Sequence, residues 1–570
     1  MNGSAKSHPI KQSTLTAQLG DLKPAVDKGL QSLCKERIIG RIWDHDYSVW
    51  KPQPTEITNR LGWLRIMDRM SDEVDRLNGL VGQLTGEGYT HALLLGMGGS
   101  SLAPELFEKT FGRPSRPPEA PSPYLDLIVV DTTDADAIRA AEQAVDLKHT
   151  LIIVSTKSGG TVETLSAFKY FYNQLTLAVG PERVGEHFIA ITDPGSKIIE
   201  MAARYHFREV FENDPNIGGR YSALSYFGLV PAALVGTDIG RLLARASTMA
   251  SNNALSDCDV IGDNLAARLG AAMGQAAMAG HDKLTFITSA ALASFGDWVE
   301  QLIAESTGKE RKGILPVVGE PQEPVDSYGE DRLFIHMRLD GDAGDDDFVS
   351  ELAEADYPVI TVHLKDLYDI GGQFLLWEMA TAIAGYFLRI NPFDQPNVEA
   401  AKVKAREIVA DYSEKGSLPA GDFAQLNPIN LKKFLSRAKQ GGYISIQAYV
   451  HPTPETDAAL QSLRKAINLL TDLATTTGYG PRFLHSTGQL HKGDGGNGLF
   501  IQLVSDADKD LPIPDEAGSE TSSMSFNVLK KAQALGDAAA LREVKRRLIS
   551  FEVGTNAEAA EVIARLAAAF

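Results

Sequence analysis

Leu151-Ile-Ile-Val154 runs directly into Ser155-Thr-Lys-Ser-Gly-Gly-Thr-Val-Glu-Thr164, and Ala92-Leu-Leu-Leu95 runs into Gly96-Met-Gly-Gly-Ser-Ser-Leu102. Each stretch reads as a buried strand, a turn of small and hydroxyl residues, and a helix start. Backbone N–H groups at a helix N-terminus are unpaired and partly positive, so such a turn suits an anion. Glycines let the backbone approach a ligand, and Ser and Thr hydroxyls add donors. Two such turns, one β-α-β unit apart, point to a phosphorylated small molecule at the carboxyl edge of a parallel sheet. Neither turn fits G-x-G-x-x-G or G-x-x-x-x-G-K-[ST], which argues against a nicotinamide cofactor and nucleotide hydrolysis.

The pattern continues outward from these turns. Strands are expected at Ala92–Leu95, Leu125–Val130, Thr150–Val154 and Phe188–Thr192, alternating with helices after Ser101, Asp134, Thr161 and Ser196. A second series follows at Lys283–Thr288, Leu315–Val318, Leu333–Met337 and Pro358–Val362, and then a long apolar helix, Gly372–Leu388. This alternation predicts an α/β fold of two doubly wound parallel-sheet units. The expected division is a helical segment at 1–88, α/β units at 89–235 and 236–415, and a C-terminal α/β segment at 416–570. In the last, strands are expected at Tyr443–Val450 and Gly498–Val504, a helix at Pro454–Thr477 and a helical terminal region. Lys415–Asp422 reads as the linker before it, Gly341–Asp347 as an acidic surface loop, and Trp63 to Val81 as a packing helix.

The whole chain sets limits. Its 570 residues carry a formal charge of -19 and a pI near 5.1, which disfavours nucleic acid or an anionic membrane as partner. Cys34 and Cys258 are too few for a disulfide framework, so a reducing cytoplasm is expected. No signal pattern opens the chain, and no apolar run reaches the roughly 20 residues needed to span a bilayer. No His/Cys/Asp cluster has metal-ligand spacing.

Five motifs occur in order: Gly96–Ser101, Ser155–Thr164, Gly218-Gly-Arg-Tyr-Ser222, Ala304-Glu-Ser-Thr-Gly-Lys309 and Asn391-Pro-Phe-Asp-Gln-Pro-Asn-Val-Glu-Ala-Ala-Lys402. Together they resemble the glucose-6-phosphate isomerase (phosphoglucose isomerase) family, built from sugar-isomerase domains. The likeness is greatest to the isomerase half of bifunctional transaldolase/phosphoglucose isomerase proteins. The N-terminal 88 residues cannot hold a transaldolase barrel, which needs roughly 250. The resemblance implies a cofactor-independent interconversion of glucose 6-phosphate and fructose 6-phosphate by a homodimer. A dual isomerase that also takes mannose 6-phosphate, and a non-catalytic sugar-phosphate sensor, are the competing readings. A sensor would need no base and would carry a basic recognition helix, and none is visible.

The resemblance places the phosphate against Gly99, Ser100, Thr156, Ser158 and Thr161, with Lys157 or Thr164 added. Arg220 is a permanent cation suited to an enediolate. Glu305 is the expected base, and a carboxylate at an element end can have a raised pKa. Glu300 is its rival, but the two lie about 500° apart around a helix and point to different sides. Lys402 is expected to assist ring opening, and Gln395, on the same face, to contact substrate. Counting on from Glu305 to the family's ring-opening histidine reaches Asp326-Ser-Tyr328, which has none. Leu484-His-Ser-Thr-Gly-Gln489 supplies a substitute, so His485 is expected to take the role, with His491 as competitor.

Overall fold

The computed structural model describes residues 13–113 and 122–570. Long apolar runs form its strands. In the first sheet Asp126–Val130, His91–Leu95, Thr150–Ser155, Phe188–Thr192 and Glu209–Glu212 lie side by side in that order, all parallel. Three of these strands are apolar almost throughout, as burial on both faces requires. His91–Leu95 has the next two strands of the chain on opposite sides, so the crossovers diverge there and leave a crevice at the carboxyl edge. Both hydroxyl-rich turns open into that crevice.

The second sheet orders Val359–Leu364, Arg332–Leu339, Lys283–Thr288 and Leu315–Val317 in parallel. Thr14–Gln18 adds an antiparallel edge to it, so the N-terminal segment is not helical throughout. Between the two sheets runs Ile370–Leu388, apolar on every side and buried over almost its whole length. Leu265–Ala279 crosses it closely: a Cβ on Gly270 would stand 2.7 Å from the Ala380 carbonyl oxygen. One continuous apolar core surrounds these helices and takes in the N-terminal residues Leu33 to Leu84.

Residues 416–570 carry a third parallel sheet, ordered Ala474–Tyr479, Tyr443–Tyr449, Gly498–Asp506 and Arg547–Thr555, with its own core. Three expectations need correction. The helix from Pro454 stops at Thr471, where Asp472 turns left-handed (φ 52°), and Ala474–Tyr479 is a strand. The terminal region is two helices, Phe526–Glu543 and Asn556–Ala567, with a strand between them. The Trp63–Val81 helix is a turn at Gly62–Arg65 followed by Ile66–Ser71 and Val74–Gly86. Helix Asp346–Glu354 absorbs the end of the acidic loop, and helix Glu399–Lys415 ends at Gly416, where the expected linker begins. The two cysteines pair: Cys34 and Cys258 form a disulfide with Cα atoms 5.3 Å apart. Among the described residues no helix is long and apolar enough to cross a membrane.

Candidate active site

The two turns are stitched together. The Ser155 hydroxyl donates to the Ser100 carbonyl at 3.3 Å. Gly98–Ser100 makes a tight turn into helix Leu102–Phe111, and a Cβ on Gly99 would fall 2.0 Å from the Gly219 carbonyl oxygen. Only glycine permits that approach, and it brings the Gly219–Tyr221 turn, with Arg220, against the first anion turn. In the second turn the Thr156 and Thr161 hydroxyls lie 3.1 Å apart. Thr161 starts helix Val162–Val179, yet its side chain caps no helix amide. The uncapped amides of that helix and the hydroxyls of Thr156, Ser158 and Thr161 together form an anion cradle.

Of the two further phosphate candidates, Lys157 is ion-paired to Asp193 and donates to the Pro215 carbonyl at 3.1 Å. Thr164 is 1% exposed, and its hydroxyl lies buried without a hydrogen-bond partner. Lys157 is thus engaged by other groups, whereas Thr164 keeps an unpartnered hydroxyl.

Arg220 is buried, and its guanidinium is held from several directions. Nε donates to Ser306 Oγ at 2.8 Å, NH1 to Gln395 Oε1 at 3.1 Å, and NH2 to the carbonyls of Pro392 (2.8 Å) and Asp394 (3.0 Å). Glu305 Oε1 stands 3.3 Å from NH1. A carboxylate and a fixed cation thus face each other at the end of helix Ala293–Thr307, where Gly308 breaks the chain. Glu305 keeps 12% of its side chain open to solvent. Its other oxygen accepts from Gln301 Nε2 at 3.0 Å, one turn back on the same helix.

Gln301 also donates to the His485 carbonyl at 2.8 Å, and so joins Glu305 to the loop Arg482–His485 from the C-terminal segment. The His485 ring reaches Glu163 at 3.0 Å, and Gln533 Nε2 donates to the same carboxylate oxygen at 2.7 Å. Burial opposes the charge on Glu163, but His485 beside it and Lys402 farther out hold the carboxyl below its ordinary range. Glu163 therefore holds His485 directly, and Lys402, 83 residues earlier in the chain, is near enough to act on its charge.

The rivals separate cleanly. Glu300 faces Asp297, Arg464 and Arg482 rather than Arg220; burial and Asp297 push its carboxyl up to about 8. His491 is fully enclosed, 3.4 Å from Ser445 and 3.3 Å from Gln447, and packed edge-on against Phe500. Burial drives its pKa well below the usual value, which fits a core histidine.

Four contributors escaped the sequence reading. Glu163 lies inside a quoted motif, Ser306 and Lys309 inside another, and Gln301 stands four residues before Glu305, a spacing that faces one helical side. Lys309 is buried and donates to Asp394 Oδ1 at 2.8 Å and to the Asp394 carbonyl. That carbonyl also receives Arg220, so Lys309 holds the floor under the guanidinium.

The phosphoglucose isomerase family model matches residues 59–315, which include four of the five motifs. Glucose-6-phosphate isomerase from Streptococcus agalactiae serotype III (strain NEM316) is 28% identical over 389 residues, covering 60% of this chain and 85% of its own. The same enzyme from Streptococcus pyogenes serotype M1 matches equally. Among solved structures, a hypothetical protein from Thermus thermophilus aligns with TM-score 0.59 and 23% identity, over 70% of this chain and 100% of its own. A glucose-6-phosphate isomerase from Chlamydia trachomatis D/UW-3/Cx aligns with TM-score 0.57 and 19% identity, over 71% and 90%. The ordered motifs, the family-model match over residues 59–315 and the shared fold all make this chain similar to the phosphoglucose isomerase family.

Proposed function

We propose that this chain interconverts glucose 6-phosphate and fructose 6-phosphate without a cofactor, through a cis-enediol(ate). The observation that carries the reading is the pairing of Glu305 with the fully seated Arg220, beside two hydroxyl-rich anion turns. Ser100, Thr156, Ser158 and Thr161 anchor the phosphate. His485 and Lys402 open the ring: a proton reaches the ring oxygen as another leaves the anomeric hydroxyl. Glu305 then takes the C2 proton of the open aldose and returns it to C1, while a proton moves from O2 to O1. Arg220 steadies the oxyanion that forms between these steps; its permanent charge cannot quench the intermediate by giving up a proton. Gln395 shares the Arg220 guanidinium and orients substrate.

His485 reaches Glu163 within one chain, so the reading needs no residue from a second copy. The family likeness still favours a homodimer, with each copy carrying a complete site.

The test is the fructose 6-phosphate to glucose 6-phosphate rate, read by coupled oxidation of the product. Wild type is expected to turn over, and Glu305→Gln to lose about 1,000-fold or more while still binding the sugar phosphate. His485→Ala is expected to lose turnover on cyclic substrate. A wild type that binds fructose 6-phosphate and never converts it would instead establish a sensor.

A further inference from the structure

The turn that carries His485 begins with a cation the reaction does not use. Arg482 forms an ion pair with Glu105 and stands 3.3 Å from Asp131 Oδ2. Glu105 lies in the first turn of helix Leu102–Phe111, directly after the anion turn Gly98–Ser100. Asp131 follows the strand Asp126–Val130 and is buried. Asp297 and Glu300, on the helix that bears Glu305, are near enough to feel the Arg482 charge. One guanidinium from the C-terminal segment thus meets the phosphate-turn helix, the edge of the first sheet and the base helix.

The charges show what the socket is built for. Glu105, Asp131, Asp297 and Glu300 face inward, against Lys109 on Glu105 (2.7 Å) and the more distant Arg464. With Arg482 three cations meet these four acids; without it only two would, in a buried space where an uncompensated charge is costly. Burial already pushes Asp131 and Asp297 above the usual carboxylate range, whereas Arg482 and Lys109 overcome burial at Glu105 and hold it below that range. The socket is therefore best compensated when the loop is seated. When seated, the loop also places its His485 carbonyl on Gln301 and its imidazole on Glu163.

We propose that Arg482 is a positioning residue for ring opening, docking the His485 turn into a carboxylate socket shared by the phosphate turn and the base helix. The proposal rests on the ring-opening role of His485. It places the specificity of the C-terminal segment in a charge lock, with Arg rather than Lys needed because two carboxylates at different angles must be met by one planar fork.

Ring opening is measurable apart from isomerisation, as enzyme-catalysed interconversion of the α and β anomers of glucose 6-phosphate by exchange NMR. Wild type, Arg482→Met, Arg482→Lys, Glu105→Gln and His485→Ala are compared, each with its melting temperature and its affinity for inorganic phosphate. Arg482→Met is expected to lower catalysed anomer exchange by about tenfold or more, approaching His485→Ala, with phosphate affinity kept within about twofold. Arg482→Lys is expected to recover part of the loss, and Glu105→Gln to show a smaller one. Wild-type anomer exchange in Arg482→Met would overturn the proposal. So would a loss matched by collapse of melting temperature and phosphate affinity in Arg482→Met, with Arg482→Lys and Glu105→Gln unaltered. If His485→Ala anomerises like wild type while Arg482→Met does not, the His485 role fails and the docking proposal fails with it. Loss of isomerisation in Arg482→Met with anomer exchange kept would overturn it as well.

Discussion

Lys309 is the residue whose environment departs furthest from what its place in a motif suggests. It is 1% exposed, and burial, with Arg220 nearby, lowers its pKa to about 8 despite Asp394 and Glu305. Its folded value lies below the unfolded one, so between about 8 and 10.5 the unfolded chain holds the extra proton and this group adds stability as pH rises. Function should run the other way. Above pH 8 the neutral amine loosens Asp394, whose carbonyl also seats Arg220. The expected result is a fall in kcat/KM with an apparent pKa near 8. Lys309→Met should be about tenfold slower at pH 7, the loss of one charge-assisted hydrogen bond, and lack that alkaline limb. An unchanged pH profile in the variant would remove Lys309 from the account. At this scale the sequence was most legible where a residue type has one natural use: Arg220 after two glycines and Glu305 before a helix break. Glu163 was hidden because its partners, His485 and Gln533, lie 322 and 370 residues away, and no local spacing reports such contacts.

Helix Ala293–Thr307 shows how one element serves two ends. Its last turn presents Glu305 to Arg220, and its middle presents Asp297 and Glu300 to Arg482. The Glu300 carboxyl is pushed up to about 8, so the folded chain holds one proton more than the unfolded chain between about 4.5 and 8. Stability from this group is complete below pH 4.5 and is lost as pH rises toward 8, by up to about 1.4 kcal/mol per unit. Glu300→Gln should therefore melt progressively higher than wild type from pH 6 to pH 8 in calorimetry; equal shifts at both pH values would contradict the buried acid. The first sheet was readable because its strands are nearly continuous apolar runs between turns. Thr14–Gln18 was not, since only Leu15 of its five residues is buried. Ala474–Tyr479 was joined to the preceding helix although its three threonines favour a strand. The helical spacing before it outweighed a short, polar, half-buried run.

At the scale of the whole molecule, the C-terminal segment is part of the site rather than an appendage. It delivers His485 and Arg482 to the first sheet, and Lys530 buries an ion pair with Asp134 at 2.7 Å alongside them. At the opposite end of the sequence, the Cys34–Cys258 disulfide spans 224 residues and ties the N-terminal helix to an exposed loop. A loop of that length corresponds to about 5 kcal/mol of lost unfolded-state entropy. Reduction should lower the melting temperature by several degrees and leave turnover at 25 °C unchanged, because neither cysteine touches the site; a melting curve unaltered by reductant would show that the staple carries no stability. Pairing of two cysteines this far apart depends on tertiary packing, which is why composition alone led to the expectation of a reducing compartment without disulfides, against the pair found here.

The central claim is that Glu305 moves a proton between C1 and C2 of a sugar phosphate. The most direct test is deuterium incorporation at those carbons, followed by NMR as glucose 6-phosphate is incubated with wild type and Glu305→Gln in heavy water. Wild type should exchange the hydrogen at C2 with solvent while forming fructose 6-phosphate labelled at C1, and Glu305→Gln should bind the sugar phosphate with no exchange above buffer. Isomerisation or exchange that persists at the wild-type rate in Glu305→Gln would contradict the account.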